Sequence, residues 1–124
     1  MTKPWVDNRS TICIDYNGCL DLYKGYKIGT YPPRPGVKEF LEKLVQVGYK
    51  IVILTAADTK DVWRFLKTNG LDQFVADVTN EKVPAIAYID DRAVRFDGDF
   101  EATYYEILRF KPFWEKESDH NGFG

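Results

Sequence analysis

Thr11-Ile12-Cys13-Ile14-Asp15-Tyr16-Asn17-Gly18-Cys19-Leu20 opens as an apolar run and breaks on a carboxylate, with polar and Gly positions behind it. A strand buried on both faces reads as a continuous apolar run. The carboxyl edge of an open α/β sheet is where such folds bind ligands. The stretch therefore predicts a parallel strand over Thr11–Asp15 that delivers an acid to that edge.

The neighbouring segments fit this reading. Tyr16 to Arg34 lacks periodicity and carries Gly18, Gly25 and Gly29 among Tyr23, Tyr26 and Tyr31. Within it, Leu22 to Ile28 reads as a small hairpin turning near Gly25. A long loop in a small domain is usually functional, so this one is expected to be a flap near the site, about 19–35. Pro32-Pro33-Arg34-Pro35-Gly36 stops the loop and starts a helix. Val37, Phe40, Leu41, Leu44 and Val45 fall on one helical face, expected to be buried, and Gly48 ends the helix. Tyr49 to Leu54 is a second strand, ending on Thr55. Asp58 or Thr59 can cap the next helix, which buries Val62, Phe65 and Leu66 and stops at Asn69-Gly70. Phe74 to Val78 reads as a third strand and Thr79 to Pro84 as a polar turn. Ala85 to Ile89 is a fourth strand that runs into Asp90-Asp91. A last helix, about Phe100 to Phe110, offers Phe100, Tyr104, Ile107 and Leu108 to the core. Strands alternating with helices imply βαβ units: an α/β fold with a mainly parallel sheet and helices on both faces.

A chain of 124 residues is expected to form one domain, 1–124, with a core that needs no disulfide or structural metal. Its polar tail, from about 115 to 124, is expected to fray. A net charge of −2 gives no electrostatic case for nucleic acid or an anionic membrane. Cys13 and Cys19 read as free thiols in a reducing compartment. The single His120 rules out zinc-type spacing. The N-terminus has no apolar signal core, and no run approaches the ~18 apolar residues of a membrane span. The expected location is cytoplasmic.

Four motifs carry chemistry. Asp15 and Asp90-Asp91 each end an apolar strand. Acids gathered at one edge repel unless a cation sits among them, and hard oxygen ligands suit Mg²⁺. The bland alternative for each is a turn or capping Asp. Thr55, with the following backbone amides around Ala56, can hold a phosphoryl oxygen, although Thr after a strand is commonplace. Lys82 can steady a phosphoryl charge from the turn before the fourth strand, or be a solvated surface lysine.

In this order and spacing, these four resemble the haloacid dehalogenase superfamily of phosphotransferases. The likeness runs from about Thr11 to Phe110. It includes the helix start Arg34-Pro35-Gly36-Val37-Lys38-Glu39-Phe40-Leu41 and the stretch Tyr88-Ile89-Asp90-Asp91-Arg92-Ala93, which looks like the small bacterial and phage members. The resemblance implies a Rossmann-like three-layer sandwich. Asp15 is then the nucleophile that forms an aspartyl-phosphate. The residue two later, here Asn17, does acid–base work and lends its backbone carbonyl to Mg²⁺. Thr55 binds phosphoryl oxygens, Lys82 steadies nucleophile and phosphate, and Asp90 and Asp91 complete the metal site. A carboxylate attacks phosphorus only where cations offset the repulsion of two anions.

One departure matters: position 17 is Asn where the family's phosphatases carry Asp. An amide cannot give a proton to a leaving alkoxide, and such catalysis is worth ~10²–10⁴-fold. Asn17→Asp is therefore expected to raise the rate. Three readings of Asn17 stand open: an engineered inactive form, an enzyme for anhydrides or acyl phosphates, and a protein that binds a phosphorylated ligand or partner without turnover. Both gaps where the family inserts cap domains are short, so the chain reads as capless. The expected substrate is a nucleotide, a sugar phosphate or a larger phosphorylated molecule, with a homo-oligomer neighbour as a possible lid. Tyr23, Lys24, Tyr26, Lys27 and Arg34 can grip a base or phosphate, or be ordinary loop residues. The order Asp, Thr, Lys, acidic pair argues against a response-regulator receiver. The lack of G-x-x-x-x-G-K-[ST] excludes a P-loop kinase.

Overall fold

The computed structural model describes residues 7–23 and 31–115. Four strands form one sheet: β1 (Thr11–Asp15), β2 (Lys50–Leu54), β3 (Val75–Thr79) and β4 (Ala87–Ile89). Their order is β3-β2-β1-β4, and every pairing is parallel. β1 is thus central and its side chains are hidden on both faces, as its apolar run requires. The chain divides into two compact units, one ending at Ile89 and one beginning at Asp90.

In the first unit, α1 (Val37–Gln46) links β1 to β2, and α2 (Thr59–Thr68) links β2 to β3. Ile12 and Ile14 of β1 and Ile51 and Ile53 of β2 share one side-chain parity. They form a single buried cluster with Leu41 of α1 and with Val62, Phe65 and Leu66 of α2. Both helices therefore cover the same sheet face. β3 joins this cluster through Val75 and Val78. Three residues apart, these two would face opposite sides of a regular strand. An irregularity between Ile51 and Val52 pairs Ile51 with Val75 but Val52 with Asp77, and the extra residue turns both valines inward.

Local signals act as expected at most boundaries. Asp58 caps α2 by accepting from the Lys60 N–H. Gly36, at φ 89, turns the chain into α1 from a left-handed conformation costly for other residues. Pro35 and Gly36 thus precede the first turn rather than sit in it. Phe74 belongs to a short 3₁₀ turn (Asp72–Phe74), so β3 starts one residue later than its pattern predicts. β4 is shorter than the expected Ala85–Ile89. The segment from Ala56 to Glu81 is filled by α2, this turn and β3, which leaves no room there for an inserted domain. The hairpin expected near Gly25 falls mostly outside the described residues. On either side of the undescribed stretch, Asp21 and Pro33 pair antiparallel, and the Tyr23 and Tyr31 rings meet edge to face at 5.6 Å.

Two expectations about buried faces need correction. On α1 only Leu41 is fully buried, while Phe40 and Val45 are exposed at 42% and 40%. Ten residues on one face of a sheet bury a narrow stripe, and these two lie at its margins. In the second unit, α3 (Phe100–Arg109) buries no residue. Phe100, Tyr104, Ile107 and Leu108, expected in the core, are 81%, 57%, 58% and 62% exposed. Their helical spacing reports an apolar stripe, and a stripe by itself does not specify what covers it. No described helix is long and apolar enough to cross a membrane.

Truncations should separate the two kinds of apolar helix residue. Leu66→Ala removes a side chain with no exposed surface and should cost about 2–5 kcal/mol in chemical denaturation. Leu108→Ala should stay within about 0.5 kcal/mol.

Candidate active site

Parallel pairing brings the strand ends to one edge. Asp15 is in register with Leu54, and Thr55 is the next residue along β2. Ile14 is in register with Ile89, the last residue of β4. Asp15 and Thr55 therefore lie at the carboxyl edge of adjacent strands, where a crevice forms in open α/β sheets. Asp15 is half-buried and extended, at φ −66 and ψ 144.

The chain leaves β1 through one wide turn, Tyr16–Leu20. Tyr16 points inward and meets Phe65 edge to face, with centroids 5.1 Å apart. Burial, helped by the Asp21 and Asp61 charges, pushes its hydroxyl pKa up to about 12. Asn17 is extended (φ −72, ψ 127), and Gly18 takes φ 93 to reverse the chain. The Asn17 side chain donates from Nδ2 to Oδ2 of Asp21 at 2.7 Å. Asp21 is fully buried, and its Oδ1 accepts from the Gly18 N–H (2.9 Å) and the Tyr23 N–H (3.2 Å). Arg34, expected to meet phosphate, sends Nη2 to the carbonyls of Gly18 (3.3 Å) and Asp21 (3.2 Å). Its backbone N–H donates to the Leu20 carbonyl at 2.8 Å. Cys19 is half-buried, 3.9 Å from the Ile89 carbonyl through Sγ, and Cys13 is buried.

Thr55 is buried, and its Oγ1 accepts from the Ala57 N–H at 2.9 Å. Its hydroxyl hydrogen is the donor it can offer a ligand. Ala56 is exposed beside it. Asn80 holds this loop, donating from Nδ2 to the carbonyls of Thr55 (2.6 Å) and Ala57 (2.9 Å). Lys82 is exposed, with its ammonium 4.6 Å from the centroid of the Tyr88 ring. The Tyr88 hydroxyl in turn donates to the Val83 carbonyl at 2.7 Å.

Asp90 and Asp91 open the second unit. Asp90 is exposed and its Oδ1 accepts from the Arg92 N–H at 2.7 Å. Asp91 is half-buried, and its Oδ2 accepts from the indole N–H of Trp114 at 2.6 Å. The Arg92 guanidinium lies 5.0 Å from the Trp114 ring.

Three residues carry no role readable from the sequence: Asp21 reads as a flap residue, Asn80 as part of a polar turn, and Trp114 only marks where the tail begins. Asp21 carried a faint signal, since an acid between Leu20 and Leu22 lies in an apolar setting. The other two carried none.

A family model described as haloacid dehalogenase-like hydrolase matches residues 8–84, more than half of the chain. The chain belongs to this family. It is a family of hydrolases whose members generally use Mg²⁺. Among solved structures, a conserved protein from Bacteroides thetaiotaomicron is similar at 20% identity and TM-score 0.54, over 86% of this chain and 95% of that one. At that identity the likeness concerns the fold. An uncharacterised protein from Listeria monocytogenes serotype 4b is similar at 21% identity and TM-score 0.47, over 82% of this chain and 62% of that one. No curated protein matches the sequence.

Two measurements test this geometry. Asn80→Ala removes both bonds to the Thr55 loop and should cost about 1–3 kcal/mol in chemical denaturation. Tyr16 keeps its proton in the fold past the pH at which it is lost from the unfolded chain. Its stabilising contribution is therefore complete below pH 10.0 and lost as pH rises toward about 12. Thermal midpoints of the protein and of Tyr16→Phe, taken across that window, should converge as pH rises.

Proposed function

We propose that this haloacid dehalogenase-like protein is a Mg²⁺-dependent phosphatase working through an aspartyl-phosphate on Asp15. The observation that carries the reading is the shared edge of Asp15 and Thr55 at the ends of adjacent parallel strands, in a chain of this family. A carboxylate oxygen of Asp15 attacks phosphorus, the ester bond breaks, and its electron pair leaves with the departing oxygen. Water then cleaves the acyl phosphate, releasing phosphate and regenerating Asp15. Thr55 donates its hydroxyl to a phosphoryl oxygen, with Ala56 leaving space beside it. Lys82 supplies positive charge after leaving the Tyr88 ring, and Arg34 supports phosphate binding from the root of the flap.

The donors proposed for the metal are hard oxygens, which fits Mg²⁺. They are the Asp15 carboxylate, the Asn17 backbone carbonyl, and the acids Asp90 and Asp91 that directly follow β4 in the chain. When bound, the ion offsets the repulsion between carboxylate and phosphate. The substrate is a phosphorylated small molecule, such as a nucleotide, or a larger phosphorylated molecule.

The bond from Asn17 to Asp21 favours one alternative, a protein that binds a phosphorylated ligand without turnover, because that side chain is engaged and carries no acid.

Phosphate release from p-nitrophenyl phosphate decides between them. It should require Mg²⁺, stop with chelator, fall to background in Asp15→Asn, and fall about 10²–10³-fold in Thr55→Ala. Release unchanged by Asp15→Asn overturns the nucleophile. No release from any substrate, with vanadate still bound, favours the binding protein.

A further inference from the structure

Asp21 is a carboxylate with no exposed surface. Burying such a charge is costly unless hydrogen-bond donors surround it. Its two oxygens divide the work. Oδ1 accepts the backbone N–H groups of Gly18 and Tyr23, and Oδ2 accepts the Asn17 amide at 2.7 Å. From position 17 only a side chain with a hydrogen-bond donor can serve Oδ2, and the Asn17 amide does so. Aspartate there would set two carboxylates against each other at that distance, one of them fully buried. The same carboxylate sits where the two legs of the following segment meet, since Asp21 pairs with Pro33 and its carbonyl accepts from Arg34.

We infer that Asn17 and Asp21 are a matched pair, with Asn17 the positioning residue that holds the turn behind Asp15, and that the site takes phosphoryl groups whose leaving oxygen departs without a proton. Such substrates are acyl phosphates, phosphoanhydrides and aryl phosphates. The pairing rests on geometry alone, and the substrate class rests on the hydrolase reading above. Asn17 is then the residue this turn was built with rather than a disabled acid. A leaving group of low pKa carries off the electron pair of the broken P–O bond as a stable anion. An alkoxide cannot, and position 17 offers it no proton.

A swap tests the pairing. In Asn17→Asp/Asp21→Asn, the amide oxygen of residue 21 can keep both backbone N–H bonds while its nitrogen donates to the new carboxylate. Asn17→Asp alone should lower the thermal midpoint by about 5–10 °C. Asp21→Asn alone should cost less, because the Asn17 amide can turn to present its oxygen. The double variant should recover most of the loss. A wild-type midpoint in Asn17→Asp, or a double variant no better than that single, overturns the pair. For the substrate class, initial rates on acetyl phosphate and p-nitrophenyl phosphate should exceed those on glycerol phosphate by about 100-fold or more with Mg²⁺. Rates within tenfold overturn it. If no form releases phosphate from any of the three while the stability cycle couples as expected, the hydrolase reading and the substrate class fall and the pair stands.

Discussion

The backbone of β1 is hydrogen-bonded on both sides, to β2 and to β4. Everything else follows from that constraint. A central parallel strand has no solvated face, so its side chains must be apolar until the strand stops. Where it stops, the first charged group emerges at the carboxyl edge, among the ends of its neighbours. Asp15 is that group, and Thr55 is at the edge for the same reason. Parallel pairing also demands a crossover before each new strand. α1 and α2 meet that demand on one face, where the isoleucines of β1 and β2 wait for them.

This logic explains which parts of the fold were legible in the sequence. The bounds of β1 can be read to the residue, because the apolar run and the break at Asp15 are consequences of two-sided burial. α2 reads correctly in its cap, its buried face and its stop, since each depends on local chemistry. α3 does not read correctly. Phe100, Tyr104, Ile107 and Leu108 have the spacing of a buried face yet remain exposed. Periodicity measures the apolar stripe, whereas burial depends on what packs against it. The β3 irregularity was hidden for a related reason. Val75 and Val78 break strict alternation, and only the register of the partner strand resolves them.

The candidate site divides along the same line. Asp15 and Thr55 were legible because strand ends are. The side chains that hold their loops were not, because each acts through a distant carbonyl or amide. Asn80 reaches back 25 residues to Thr55, and Trp114 reaches back 23 to Asp91. Nothing in a polar turn or at the head of a tail announces such a partner. Lys82 is the intermediate case. Its position before β4 was readable, but its resting place on the Tyr88 ring belongs to the folded chain.

Asn17 shows how a departure from a family pattern changes meaning once its partner is known. Read alone, an amide at that position is a loss, since it removes a proton donor from a phosphatase motif. Beside Asp21 it is a requirement. A buried carboxylate with two oxygens needs donors on both, and among the described residues the backbone supplies them to Oδ1. The remaining oxygen faces position 17, where an amide satisfies it and a carboxylate repels it. On the proposed phosphatase reading, the turn behind Asp15 gives up general acid catalysis for an internally satisfied pair, which costs rate only where the leaving group must be protonated. The chemistry at Asp15 and the packing of Asp21 are therefore one problem, and the residue at position 17 answers to both.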